Sequence, residues 1–311
     1  MQPQLWAGRE VGALTSAALT EQRPVRDHGW LESLVTGANQ GIGLGLIKQL
    51  LRNWNPPEWV FATCRDPVGE RMQELHNLAA KLPNLVIVVL KVTDPASIKE
   101  AAPRVEVHLK GSGLSVLINN VGILKLNMLE LETPEDVALV YSTKVIGPLL
   151  MSQAFLPLLK QAAQGSPQRG LSCSKAAVAN MSSMAGSIQN VCGWEMVQII
   201  SYRCSKVALN MLTKCQALRY SRDGILSVAV HPGWVQTDMG NFSSIQHPIT
   251  VDESVRGMLQ VLSTLSEKDN GDFVAWEGKV LIPDEMFPAL LQEPQASLFQ
   301  APRCQPCLCP Q

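Results

Sequence analysis

Charge is what this chain has least of. Charged residues fill 17% of its 311 positions, against about 25% in an ordinary globular domain. Its 26 Lys and Arg nearly balance 27 Asp and Glu, leaving a formal net charge of −1. That balance provides no basic surface for nucleic acid or for an anionic membrane. No run of 18 apolar residues occurs, so no membrane span is expected. The first 30 residues lack the compact apolar core of a secretory leader. Arg9, Arg23 and Arg26 there are offset by Glu10, Glu21 and Asp27, which argues against a mitochondrial transit segment. Met1-Gln2 and the C-terminal residues carry no lipidation pattern. The expected location is cytoplasmic.

The eight cysteines make no disulfide framework. Cys64, Cys173, Cys192, Cys204 and Cys215 are scattered and read as reduced thiols. Cys304, Cys307 and Cys309 cluster as C-x-x-C-x-C among Pro302, Pro306 and Pro310. No His stands nearby as a fourth ligand, so this reads as a tail and no metal is expected. Hydrophobic residues, at 46%, are ample for a large core. The composition excludes a disordered chain, a collagen and a small disulfide scaffold.

Three zones follow along the chain, with no internal repeat. Residues 1–30 show no sustained periodicity and form an irregular extension. Residues 31–285 read as one domain. Residues 286–311 are Pro/Gln/Cys-rich and are expected to be disordered. Within the domain, strands are predicted at Leu31–Thr36, Trp59–Cys64, Leu85–Val92, Ser115–Ile118, Ala176–Met181 and Leu226–Val230. Most are nearly all apolar and do not alternate, the pattern of strands buried on both faces of a parallel sheet. Helices are predicted at Ile42–Asn53, Glu70–Leu82, Ala96–Ala101, Asp136–Gln161 and Tyr202–Tyr220. The alternation implies an α/β, single-domain, doubly wound parallel sheet of Rossmann-like type, with helices on both faces. Glu32 and Ser33 are anomalous for a central strand. Either the first strand starts at Leu34 or its beginning is exposed.

Thr36-Gly37-Ala38-Asn39-Gln40-Gly41-Ile42-Gly43 follows the Leu34-Val35 run and opens a helical pattern. Strand, glycine turn and helix are the setting of a dinucleotide site. The glycines let a pyrophosphate approach the backbone, and the helix start offers free N–H groups. Arg65 lies 22 residues beyond Gly43, at the end of the next predicted strand. An acid there accepts from the ribose 2′-OH of NAD, whereas an arginine suits the 2′-phosphate of NADP. Arg65 therefore points to NADPH. Asp66, one position later, is expected to face solvent or cap the next turn.

Tyr202 and Lys206 stand at i and i+4, on one face of a predicted helix. A phenol titrates near 10, and a neighbouring ammonium favours its ionised form. Such a pair can exchange a proton with a carbonyl oxygen. Asn180-Met181-Ser182-Ser183 closes another apolar strand, and a serine there can hydrogen-bond a substrate oxygen.

Thr36–Gly43, Asn119-Asn120-Val121-Gly122, Ser183, Tyr202/Lys206 and Pro232–Thr237 occur together in one order. The sequence thereby resembles the short-chain dehydrogenase/reductase family over residues 33–283. Gly186–Gln189, Ser201–Lys206 and Asp272–Gly278 are most similar to the sniffer/C-factor-like carbonyl reductases. The resemblance implies that Ser183 orients a carbonyl, that Tyr202 is the acid/base, and that Lys206 holds the nicotinamide ribose and tunes Tyr202. It puts Gly37, Gln40, Gly41, Ile42 and Gly43 along the pyrophosphate. Asn119 is placed beside the cofactor, and Val235 and Thr237 near its nicotinamide end. It also implies a small-molecule carbonyl substrate and a homodimer through helix 136–161.

The sequence departs from the family at specific places. Lys144 stands where members usually carry an Asn that helps hold a relay water. Lys91 replaces an acid that accepts from adenine, and lysine cannot accept. The interval from Ser183 to Tyr202 is long for the family. A second ammonium at Lys144 is expected to disfavour the charge on Lys206. The alternative function is therefore an NADP-binding regulatory or signalling protein with weak catalysis. A nucleotide-sugar epimerase would normally need a larger substrate domain.

Overall fold

The computed structural model describes residues 32–52, 56–189, 191, 194, 197–239 and 249–281. The extension 1–30 and the tail 286–311 lie outside the described residues, as do Leu31, Cys192 and Met196. Among the described residues, seven strands form one sheet: β1 (Ser33–Val35), β2 (Val60–Cys64), β3 (Leu85–Val89), β4 (Val116–Asn119), β5 (Ala177–Met181), β6 (Leu226–His231) and β7 (Phe273–Ala275). Their order is β3-β2-β1-β4-β5-β6-β7, and every neighbouring pair is parallel. The doubly wound expectation is met.

Alternation along each strand divides the core into two layers. Val35, Ala62, Ile118, Ala179 and Val228 face one side. There they pack against Leu46, Ile47 and Leu50 of α1 (Gly41–Arg52), Leu75 of α2 (Gln73–Lys81), and Met258 and Leu262 of α7 (Val251–Thr264). Leu34, Phe61, Leu117 and Val178 face the other side. They meet Ile98 and Val105 of α3 (Pro95–Leu109), Met151, Phe155 and Leu159 of α5 (Gly147–Gly165), and Tyr220 of α6 (Ile200–Tyr220). Both faces of the sheet are largely buried, which is why its strands read as mostly apolar and not as alternating runs.

The helix before α5 is α4 (Pro134–Tyr141), joined to it through a π-helical turn, Ser142–Ile146. The combined stretch Pro134–Gly165 is long and apolar enough to cross a bilayer by length and composition. In the fold its apolar face is a wall of the core.

Three expectations need correction. First, β1 starts at Ser33, and both Glu32 and Ser33 are buried. The Ser115 hydroxyl donates to Glu32 Oε2 at 3.3 Å, giving the carboxylate a partner inside the fold. Second, α3 runs through Pro103 to Leu109 and does not end at Ala101. Ile98, Ala101, Val105 and Leu109 recur at helical spacing and are all buried, so tertiary burial outweighs the interior proline. Third, α7 and β7 were not among the predicted elements. Thr250 and Glu253 form a reciprocal cap at the start of α7, a sequence signal for a helix start. Trp276, just beyond β7, packs on Gly233 and Gly257.

Candidate active site

The sheet order reverses between β1 and β4. In such sheets ligands bind outside the strands' carboxyl ends at that reversal. The glycine turn lies there. Gly37 has φ +65°, a left-handed conformation that glycine adopts without a steric cost. A side chain at Gly43 would collide with the Gly37 carbonyl oxygen, so the turn stays tight only with glycine at both places. Helix α1 begins at Gly41, and the Leu44 N–H already bonds the Gln40 carbonyl at 3.1 Å. The N–H groups of the first turn, from Gly41 through Gly43, remain directed at the crevice.

The turn is laced to the end of β4. Thr36 Oγ1 accepts from the Asn120 and Val121 N–H groups at 2.9 and 3.1 Å. Asn119 donates to Asn180 Oδ1 at 2.9 Å, while its own Oδ1 is buried with no partner among the described residues. On the rim, Arg71 donates to Gln40 Oε1 at 2.6 Å and lies 3.4 Å from Asp238. The Thr237 methyl sits where it would be 3.4 Å from a side chain at Gly41. Thr237 is thus beside the glycine turn, while Val235 is buried and bridged to Ile249.

Arg65 follows the last residue of β2 and is exposed. It has no hydrogen bond or ion pair among the described residues. Asp66 Oδ1 accepts from the Val68 N–H at 3.0 Å, the expected turn cap. Lys91 is exposed beyond β3, and its N–H donates to Ser97 Oγ at 3.0 Å.

The second cluster lies at the ends of β5 and β6. Ser183 follows β5, and its oxygen accepts from the Ala185 N–H at 3.2 Å. Burial raises the Tyr202 pKa above the ordinary phenol range, and the nearby Ser183 hydroxyl partly opposes the rise. Lys206, 4% exposed, donates to the Met181 carbonyl at the end of β5. Burial pushes its pKa down to about 8. Ser182 is separate from this group and donates to Asn210 at 2.5 Å.

The structure adds two residues to the set. Lys144, in the π-helical turn, is 3% exposed, with Nζ 4.4 Å from the centre of the Tyr202 ring. Burial, and next the charge of Lys206, holds its pKa well below the usual lysine range. Lys144 opposes the fall at Lys206 and favours the charged form there. The expectation that like charge disfavours both ammoniums agrees with Lys144, whose pKa the Lys206 charge lowers, whereas Lys144 opposes the burial-driven fall of the Lys206 pKa. His231 ends β6 and is pushed down to about 4, first by burial and then by Lys206. The sequence carried a faint signal for it, a histidine directly before Pro232-Gly233 at a strand's carboxyl end.

Comparison with known proteins follows this geometry. A short chain dehydrogenase family model matches residues 33–247. An NADPH-bound carbonyl reductase from chicken fatty liver is 62% identical, with a TM-score of 0.77 over 80% of this chain and 98% of its own. The carbonyl reductase Sniffer of D. melanogaster is 36% identical, with a TM-score of 0.75 over the same shares. An uncharacterized oxidoreductase of Schizosaccharomyces pombe is 30% identical over 263 residues, 79% of this chain and 96% of the relative.

Proposed function

Because the chain belongs to the short-chain dehydrogenase family, we propose that it is an NADPH-dependent reductase of ketone or aldehyde carbonyls. One observation carries this reading: the buried Lys206 amine lies 5.5 Å from the centre of the Tyr202 ring and donates to the Met181 carbonyl at the end of β5, two residues before Ser183. The residues present fit the cofactor. Gly37 and Gly43 leave a tight backbone turn, α1 offers its first N–H groups, and Arg65 is a guanidinium without an internal partner. Gly37, Gln40, Gly41, Ile42 and Gly43 would line the pyrophosphate. Arg65 would grip the 2′-phosphate in a forked pair. Asn119, Val235 and Thr237 would border the nicotinamide half.

When bound, the cofactor supplies the hydride. Ser183 then holds the carbonyl oxygen, and Tyr202 donates a proton to it as negative charge develops there. The raised phenol pKa suits this direction, since Tyr202 keeps its proton at neutral pH. Lys206 lies 5.5 Å from the Tyr202 ring centre and stabilises the phenolate left behind. The helical face at 136–161 presents exposed Leu139 and Ile146, which supports pairing of two copies there.

The test is cofactor titration of the purified protein, then a panel of ketones and aldehydes followed by NADPH oxidation. NADPH binding with turnover of at least one carbonyl supports the reading. Tight NADPH binding with no turnover favours the regulatory alternative.

A further inference from the structure

We propose that Lys144 is a positioning residue for proton transfer, an uncharged amine that accepts a hydrogen bond from the Lys206 ammonium and keeps the pair's single positive charge beside Tyr202. The proposal rests on the reading of Tyr202 as the acid/base.

The geometry carries it in three steps. The π-helical turn Ser142–Ile146 sets Lys144 on the inner side of the α4–α5 junction. π-helical turns recur at functional sites. The side chain then runs under Gly122, and any Cβ at position 122 would meet Lys144 Nζ. A glycine beyond β4 therefore leaves room for this amine. Finally, Nζ lies 4.4 Å from the centre of the Tyr202 ring, the same ring that Lys206 Nζ approaches at 5.5 Å.

Two buried ammoniums gathered around one ring repel one another, so a neighbouring carboxylate would be needed to hold both charges. None serves. Among the described residues neither Lys144 nor Lys206 makes an ion pair. Asp136 on α4 is bonded to Lys125 and Asn127. Glu132 accepts from the Ser201 N–H. The other titratable groups facing the pair are Tyr202 on α6 and His231 on β6, and neither is anionic at neutral pH. One proton is thus shared by two amines. Lys206 has the Met181 carbonyl as a second acceptor and keeps the proton. Lys144, with no carbonyl bonded to its amine among the described residues, supplies the lone pair.

The consequence concerns proton return. After Tyr202 gives its proton to the alkoxide, the Lys206 ammonium faces the phenolate and stabilises it. Without the Lys144 acceptor, Lys206 would lose its proton at lower pH, and the phenolate would lose its counter-charge. Lys144 therefore sets the pH range over which Tyr202 works.

The test uses the full chain without cofactor, carrying lysine labelled with carbon-13 at Cε. Lys144→Met and Lys206→Met assign the two signals. The expected result is an uncharged Lys144 across neutral pH and a Lys206 that titrates near 8 and at lower pH in Lys144→Met. An ammonium at Lys144 at neutral pH, or an unmoved Lys206, overturns the proposal. A second readout is phenolate absorbance, assignable because the chain has 3 tyrosines. In Lys144→Met the Tyr202 phenolate should appear at higher pH by roughly one unit, a tenfold change in its equilibrium. Activity is the third readout. Lys144→Met should lower turnover with NADPH affinity retained and shift the pH profile. An unchanged profile also overturns the proposal. If no variant and no carbonyl gives turnover, the reductase reading fails, while the lysine titrations still decide the state of the pair.

Discussion

Asn120 donates through its side-chain amide to the Thr36 carbonyl at 2.9 Å, and to the Gly37 carbonyl at 3.2 Å. One side chain thus ties the end of β4 to the glycine turn after β1. Both carbonyls sit where the chain turns too sharply to satisfy them by strand pairing. Asn120→Ala should cost about 1–3 kcal/mol of stability, the usual effect of leaving part-buried carbonyls unpaired. It should also weaken NADPH binding more than it alters turnover at saturating cofactor. Urea unfolding beside cofactor titration measures both. Unchanged affinity in a destabilised variant would show that the turn holds its shape without Asn120.

Arg65 should decide the choice of cofactor. Its guanidinium is exposed and without an internal partner at the end of β2, so an incoming phosphate need not displace an existing bond. NADPH should bind more tightly than NADH, and Arg65→Asp should reverse or abolish the preference through repulsion of the 2′-phosphate. Equal or tighter NADH binding by the wild type would exclude this role.

Tyr202→Phe keeps the ring against Lys144 and removes only the hydroxyl. Turnover should fall about 10²–10⁴-fold, the scale of general acid–base catalysis, while NADPH affinity stays close to wild type. Stopped-flow hydride transfer separates the two effects. Equal turnover would remove Tyr202 from the chemistry.

The fold was legible where burial was two-sided. β2 and β5 are mostly apolar because each is buried along its whole length, above and below. β1 was less legible because Glu32 and Ser33 have partners far away in sequence; Ser115 is 83 residues from Glu32. The end of α3 was misread because Pro103 is a local signal, whereas burial of Val105 and Leu109 is a tertiary one. Within the candidate site, Tyr202 and Lys206 were readable because their i, i+4 spacing occurs in one order with the glycine turn, Ser183 and Pro232–Thr237. The charge state of Lys144 was not. It depends on Gly122, Tyr202 and Lys206 meeting across three segments, and on the lack of a free carboxylate there.

Trp194 should influence which carbonyl compounds are preferred. Arg203 on α6 lies 6.0 Å from its ring and donates to the Gln198 and Val197 carbonyls at 2.8 and 3.2 Å. This connection holds the segment before α6 next to Tyr202. Trp194→Ala should reorder a ketone panel by kcat/KM while leaving NADPH affinity unchanged. An unchanged ranking would mean that Trp194 serves only to pack the loop.

Acid should weaken the fold through His231. Its ordinary pKa of 6.5 is pushed down to about 4 in the native protein, first by burial and then by the charge of Lys206. Between these values the unfolded chain binds a proton that the native protein does not. Stability therefore falls as pH drops through that window, and the full contribution is present only above it. At pH 5 the loss from this one group is roughly 2 kcal/mol relative to neutral pH. Nδ1 accepts from the Gly233 N–H at 3.4 Å, and an asparagine could place an amide oxygen in the same position without taking up a proton. His231→Asn should then retain most of the stability at neutral pH and lose less of it at pH 5 than the wild type. Urea midpoints at the two pH values give the comparison directly. If wild type and variant lose equal stability on acidification, the imidazole is not the group that couples folding to protons in this range, and the carboxylates must account for the whole decline.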